Sequence, residues 1–527
     1  MHGLLAQAVR SRRCWAFFAR LASFWSASIA IAIIALLIRL HGLGDKPFWL
    51  DEVASLHRAT MPWPKVALES LRNNQYPAYF VLLWFVAKFG TSQWWLRLPS
   101  AIFGAINAGL VCAIGREVDG LRTGIAAGLL LALSPFDVQY GQEARPYTLA
   151  AGLILAALWG IARLAKEPIA AAYQPGRDGR PLSPWLAYCG GTAAALNVLN
   201  VAVPWFLAAN LAAVAIVQHA GGGRAAFLRK WGRAQVLIIA AWLPSAAAVY
   251  ILSSGGVLYA SRWAPPETMA TIWSSVAPVY LDRISDFVTF NLMPARVLGL
   301  AVVIAAFAAH GAWRLRRRPG VLALIGCAAV VPLLLLMSVS LVTPVLVPRY
   351  IAWTAAPFYV LAGAGLGGFG RERFAVCTTV LATACLINVL PYYHDETKPR
   401  WDLAAAELAS ETQPGDVVLL NNWYSYYVLM AFADRSGLAD HRLSLTWTPA
   451  AAARLVPHHD LWVLFGRTGQ VAMPAAQDYL NSLSWLGQPV AQQQIGRYIV
   501  LWRFGAPDAR VATCLMAPRC SEAGQSK

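Results

Sequence analysis

Charge is what this chain has least of. Only 13% of its 527 residues are Asp, Glu, Lys or Arg, and 58% are hydrophobic. Soluble domains carry roughly a quarter charged residues, so a soluble globular protein is excluded and a polytopic membrane protein is expected. Other absences narrow the field. There is no Asp-x-Asp and no Rossmann fingerprint, hence no nucleotide-sugar site. No Cys-x-x-Cys pair exists, and His458-His459-Asp460 lacks further ligands at a metal-site spacing. No internal repeat and no nucleic-acid motif appears, although the formal charge is +17. The basic residues instead fall in short clusters between apolar runs, where they read as topology signals. A basic stretch with Arg10, Arg12, Arg13 and Arg20 precedes the first apolar run, and no Ala-x-Ala cleavage pattern follows it. That run is therefore expected to be an uncleaved first span with the N-terminus inside.

Eleven spans are expected, at 22-40, 98-115, 123-138, 147-165, 184-200, 202-218, 235-252, 296-313, 320-342, 350-368 and 374-391. If they alternate, every basic cluster (Arg10 to Arg20, Arg116 with Arg122, Arg163 to Arg180, Arg224 to Arg233, Arg314 to Arg318, Arg371 with Arg373) lands on one side. The other connections carry Asp51-Glu52, Gln142-Glu143-Ala144-Arg145 and a long loop, 253-295. Tyr76 to Phe89 is apolar over only about fourteen residues, too few to cross. It is expected to be a juxtamembrane or re-entrant helix in an external loop, with Trp63, Trp84, Trp94 and Trp95 as interfacial aromatics. Residues 392-527 hold no span and read as a small external α/β domain: a helix over Trp401 to Glu411, a turn at Pro414-Gly415-Asp416, and strands at 417-420, 461-465 and 498-502. Eight cysteines are present. Cys514 and Cys520 alone lie in the tail, where a disulfide is plausible in an oxidising compartment.

Four external stretches bring ionisable or polar groups to the membrane boundary: Asp51-Glu52 with His57 and Arg58, Asn73 to Pro77, Tyr140 to Tyr147, and Pro348-Arg349-Tyr350. Ionisable residues there are costly unless paired or functional. A carboxylate can take a proton from a hydroxyl, and an arginine fork can hold a phosphate. Acids and arginines on several loops of one face suggest group transfer from a lipid phosphate, with interfacial snorkelling of Arg145 and Arg349 as the plainer alternative.

Here the chain resembles a family. Leu96-Arg97-Leu98-Pro99-Ser100-Ala101, and Ser134-Pro135-Phe136 followed by Gln142-Glu143-Ala144-Arg145-Pro146-Tyr147, are similar to the bacterial branch of glycosyltransferase family 39. Those are GT-C membrane enzymes, including protein O-mannosyltransferase-, aminoarabinose-transferase- and galacturonosyltransferase-like members. The acidic pair after a first span fits them too. The likeness covers about 22 to 370.

It implies a polytopic helical GT-C domain over 1-391 and a periplasmic α/β domain over 392-527, in a bacterial inner membrane. It implies a polyprenyl-phosphate sugar donor and a lipid, glycan or protein hydroxyl acceptor. Asp51 falls at the family's catalytic acid, Glu143 at its second acidic position and Arg349 at a basic residue near the donor phosphate. On this reading Asp51, Glu52 and Glu143 are catalytic, Arg58, Arg145 and Arg349 bind the donor phosphate, and His57, Tyr76, Tyr140, Gln142 and Tyr350 line the substrate cavity. Asp51 would deprotonate the acceptor for a direct, inverting displacement, while Glu52 as a nucleophile would make it a double one. No obligatory metal is expected, although paired carboxylates also suit a divalent cation. Where relatives often have His-Pro-Pro, this chain has Gln75-Tyr76-Pro77, so the sugar and acceptor stay open. The competing classes are a transporter or flippase for lipid-linked saccharides, and a membrane assembly protein without chemistry.

Overall fold

The structure is a computed structural model, and it describes residues 25-166, 183-220, 223-253, 268-280, 295-440, 443-449, 451-452, 460-466 and 476-505. The Arg10 to Arg20 cluster, Cys14, His458-His459, Cys514, Cys520 and most of loop 253-295 lie outside the described residues. The chain divides into two compact units, the first holding the apolar helices and the second holding Gly44–His57 together with the chain from His394 onward.

In the first unit the eleven apolar runs are largely helical over their described residues, because a backbone in lipid must satisfy its own hydrogen bonds. Among the described residues, seven helices are long and apolar enough to cross a membrane: Gln93–Asp119, Tyr147–Ala165, Asn200–Gln218, Arg224–Leu252, Val297–Leu315, Pro319–Ser340 and Arg371–His394. Trp25–Leu40 and Ser183–Leu196 are shorter, and the 350-368 run is a short turn of helix, Pro348–Ile351, continued by Ala355–Gly367. The protein is thus a multi-span helical membrane protein. Ile29, Ile33 and Leu37 recur every four residues and are all exposed, which makes a lipid-facing stripe along the first helix. Glycines let other helices touch. A Cβ at Gly311 would lie 1.9 Å from the Leu361 carbonyl oxygen, and one at Gly365 2.1 Å from that of Phe307.

The expected single span 123-138 is broken instead. Leu121–Ala132 and Pro135–Gly141 meet at a bend of 62°. Pro135 lacks an N–H and clashes with the carbonyl four residues back, so the first helix ends before it. Ser134 caps the second helix by accepting from the Asp137 N–H at 3.4 Å. The carbonyls freed at the break are taken by Arg39, which donates to Leu131 O (3.4 Å), Ala132 O (3.2 Å) and the Asp137 carboxylate.

Lys65–Arg72 and Ala78–Val86 are short helices, the second only 9 residues long, so neither crosses. Among the described residues, Arg122, Arg163, Arg314 and Arg318 gather at one end of the bundle. Arg314 pairs with Asp119 at 2.9 Å and Arg163 with Glu117 at 3.6 Å, while Arg122 donates to Phe369 O (2.9 Å) and Arg318 to Val118 O (3.1 Å). That is the clustering the alternation of spans requires.

The second unit contains a five-stranded sheet in the order β2-β1-β3-β5-β4. The strands are β1 (Val417–Leu420), β2 (Ser444–Thr446), β3 (Leu461–Gly466), β4 (Ala491–Ile495) and β5 (Ile499–Phe504). β1 runs parallel to β2 and β3, and β5 antiparallel to β3 and β4. β1 and β3 are buried along their whole length, as central strands covered on both faces are. The helix Trp401–Glu411 has the expected bounds, and its Trp401 is fully buried with its ring over Gly466.

Candidate functional site

The candidate residues divide between the two units. Asp51, Glu52 and His57 lie in the second; Arg58, Tyr76, Tyr140, Gln142, Glu143, Arg145, Arg349 and Tyr350 lie in the first.

In the second unit the helix Leu50–Thr60 starts directly after Pro47-Phe48-Trp49, with Asp51 and Glu52 in its first turn. Negative charge is favoured there by the exposed N–H groups of a helix start. Successive helical residues are turned by about 100°, so the two carboxylates cannot face the same way. Asp51 is half-buried, whereas Glu52 is fully buried and bound by Lys398, whose Nζ lies 2.7 Å from Glu52 Oε2. Sequence reasoning had no role for Lys398; its only signal is the mixed-charge run His394 to Asp402 just after the last long helix. Ser55 Oγ donates to the Asp51 carbonyl at 3.0 Å, tightening the same turn. The His57 ring meets the Tyr427 ring edge-on at 6.0 Å.

In the first unit the two motifs are joined directly. Ser100 Oγ donates to the Arg145 carbonyl at 3.2 Å. Having given its proton there, it accepts from the Tyr79 hydroxyl at 2.8 Å. Arg97 donates to the Leu43 carbonyl (3.0 Å), and Asn107 to the Thr148 carbonyl (2.9 Å). Two turns of the helix Gln93–Asp119 therefore hold the 142-146 loop, through Arg145, and the first turn of the helix Tyr147–Lys166, through Thr148. Within that loop the Arg145 N–H donates to Glu143 O at 2.8 Å, and Glu143 is fully buried. Arg145 and Arg349 are each 6% exposed, which rules out snorkelling into solvent for both. Arg349 lies in the short turn Pro348–Ile351, its guanidinium 5.7 Å from the Tyr350 ring centre. Arg58 is also buried, its guanidinium 4.8 Å from the centre of the Phe80 ring.

Gln142 was expected in the substrate cavity. It is 2% exposed, and both protons of its amide are engaged, on Arg39 O (2.8 Å) and His41 O (2.7 Å). It caps the open carbonyls at the end of the helix Trp25–Leu40, a structural task. Tyr140 is buried between Phe136 and Tyr147, with ring centres 4.8 and 5.5 Å away. The Tyr76 hydroxyl accepts from Trp242 Nε1 at 2.8 Å. Burial pushes the Tyr76 phenol above its ordinary pKa, partly offset by that hydrogen bond, so it stays protonated at neutral pH. Just before it, Asn74 takes a left-handed turn at φ 57°, and its carbonyl accepts from Asn200 at 2.9 Å. Among the described residues, no three His, Cys, Asp or Glu side chains group to hold a metal ion.

The family described as dolichyl-phosphate-mannose-protein mannosyltransferase matches residues 74–174, a stretch that contains both motifs. No curated protein matches the chain. Among solved structures, ArnT from Cupriavidus metallidurans in the apo state aligns with TM-score 0.56 and 13% identity, over 94% of this chain and 100% of that one. The same protein bound to undecaprenyl phosphate aligns with TM-score 0.53 and 12% identity, over 90% and 97%. The archaeal oligosaccharyltransferase AglB from Archaeoglobus fulgidus, in complex with an inhibitory peptide and a dolichol-phosphate, aligns with TM-score 0.50 and 12% identity, over 83% and 69%. The chain therefore has the GT-C fold of these structures, and its residues 74–174, which carry both motifs, are similar to the dolichyl-phosphate-mannose-protein mannosyltransferase family.

Proposed function

We propose that this protein transfers a sugar from a polyprenyl-phosphate donor to a hydroxyl acceptor. The observation that carries the reading is the placing of buried arginines, Arg145 and Arg349, in a bundle whose fold is shared with an ArnT solved with undecaprenyl phosphate. A donor of this kind is charged at its phosphate and apolar along its tail. Its head must meet cationic groups while its tail stays in lipid, which a membrane-embedded arginine provides and a soluble site does not. The same shared fold supports transfer over a saccharide transporter or flippase.

In the reaction the acceptor oxygen attacks the anomeric carbon, and the bond from that carbon to the phosphate oxygen breaks. The bonding pair leaves with the polyprenyl phosphate, and the acceptor proton passes to Asp51. Arg145 and Arg349, with Arg58, stabilise charge gathering on the leaving phosphate. Glu143 is the second acidic group, orienting the acceptor or donor. The ion pair of Glu52 with Lys398 favours a single inverting displacement, because a carboxylate held by an ammonium is a poor nucleophile. The tail and the acid-bearing loops face the periplasm, and the arginine-rich end faces the cytoplasm of a bacterial inner membrane. The acceptor is a lipid, glycan or protein hydroxyl. Incubation of the purified protein with radiolabelled polyprenyl-phosphate sugars, one sugar at a time, tests the reading. Label should move to a lipid or glycan fraction, and no transfer with any donor would overturn it.

A further inference from the structure

Lys398 belongs to the connection between the helices Arg371–His394 and Trp401–Glu411. Its side chain is 1% exposed and its partner Glu52 0%, with 2.7 Å between Nζ and Oε2. A second contact reaches the same loop: Lys46 Nζ donates to the Asp395 carbonyl at 2.7 Å. The run 395-398 therefore grips the chain on both sides of Asp51, five residues before it and one residue after it. The mounting of Lys398 is stiff. Pro399 follows it, Arg400 binds Asp402 through two nitrogens (2.9 and 2.7 Å), and Trp401 is buried against Gly466.

A buried ion pair is a poor device for stability alone, since withdrawing two charges from water offsets most of their attraction. What such a pair does well is select one geometry. Glu52 is the residue next to Asp51 in a helical turn, so holding its carboxylate sets the rotation of that turn and the direction of Asp51. We propose that Lys398 is a positioning residue for sugar transfer: through Glu52 it sets the line along which the Asp51 carboxylate meets the acceptor hydroxyl. This rests on Asp51 being the base. It gives the chain after His394 a part in the transfer.

The test uses the full-length protein in detergent or nanodiscs, with a donor that the wild type turns over. Misplacing a reacting group by about 1 Å costs roughly 100-fold in rate. Lys398→Met is therefore expected to lower kcat by about 10- to 100-fold with donor KM within about twofold, and Lys398→Arg to keep most of kcat. If Lys398→Met does not fold, the neutral pair Glu52→Gln with Lys398→Gln strands no charge. It should fold like the wild type, yet keep kcat at least about fivefold down; full kcat there means a structural role only and overturns the inference. Near-wild-type kcat in folded Lys398→Met beside an inactive Asp51→Asn overturns it too, and leaves the transferase reading standing. Near-wild-type kcat in Asp51→Asn removes the base and this inference together.

Discussion

Arg39 is the residue whose loss should be felt most in the helical unit. Its side chain is fully buried, and it donates to Ala35 O, Leu131 O, Ala132 O and the Asp137 carboxylate. It is also walled in: a Cβ added at Gly104 would lie 2.7 Å, and one at Gly141 2.9 Å, from its Nε. Arg39→Met keeps the apolar stem and removes the guanidinium. That leaves the Ala132 carbonyl without its side-chain donor at a proline break, and a carboxylate without its cation. Removing one partner of a buried pair costs about 3–5 kcal/mol. The Asp137 side chain is 17% exposed and gains some water, so the lower end, about 3 kcal/mol, applies. At about 1.4 kcal/mol per decade, that is roughly 100-fold. Membrane proteins of this size unfold irreversibly, so the measurement is a thermal-inactivation half-life in detergent, followed by size exclusion of the surviving monodisperse protein. The double variant Arg39→Met with Asp137→Leu should recover much of the loss, since it strands no charge. A half-life for Arg39→Met within twofold of wild type would refute the account of the break.

Ser100→Ala deletes the hydroxyl that joins Tyr79 to the Arg145 carbonyl; it should cost about 1–2 kcal/mol and raise donor KM more than it lowers kcat. Arg349→Ala should show the same split more strongly, because its proposed partner, the donor phosphate, is present in both ground and transition states. Gly466→Ala drives a Cβ to 2.2 Å from the Trp401 ring, and overpacking of about 1–3 kcal/mol should make the tail cleave faster under limited proteolysis. An unchanged proteolysis rate would place the ring elsewhere.

Much of the fold was legible because apolar length is a strong signal. The described parts of the eleven runs are largely helical, and Arg122, Arg163, Arg314 and Arg318 meet at one end of the bundle. Ser134-Pro135 was in plain view, but only the 62° bend shows that the proline ends one helix rather than kinking a single span. The helix Trp423–Ser436 went unread because Trp-Tyr-Ser-Tyr-Tyr carries strand-type residues. Its start signal is Asn422, whose side chain accepts from the Ser425 N–H at 2.8 Å. β4 was missed because its Gln-rich edge is exposed and has no apolar alternation. In the candidate site, residue types were readable and partners were not. Gln142 looks like a substrate ligand until its amide is seen capping a helix end about a hundred residues away in sequence. Lys398 was invisible because the carboxylate that gives it meaning is 346 residues distant.

The central claim is that Asp51 is the base in sugar transfer, and Asp51→Asn tests it most directly. The amide keeps the shape of the carboxylate and removes its basic lone pair, at a half-buried position where folding should hardly change. With a radiolabelled polyprenyl-phosphate sugar that the wild type uses, kcat should fall by roughly 10²–10⁴-fold at normal expression. Folded Glu52→Gln, which strands the buried Lys398 ammonium, should lose less per active molecule, because Glu52 is proposed to act through its neighbour. Near-wild-type turnover in Asp51→Asn, or a deeper loss in Glu52→Gln than in Asp51→Asn when both are equally folded, would contradict the account.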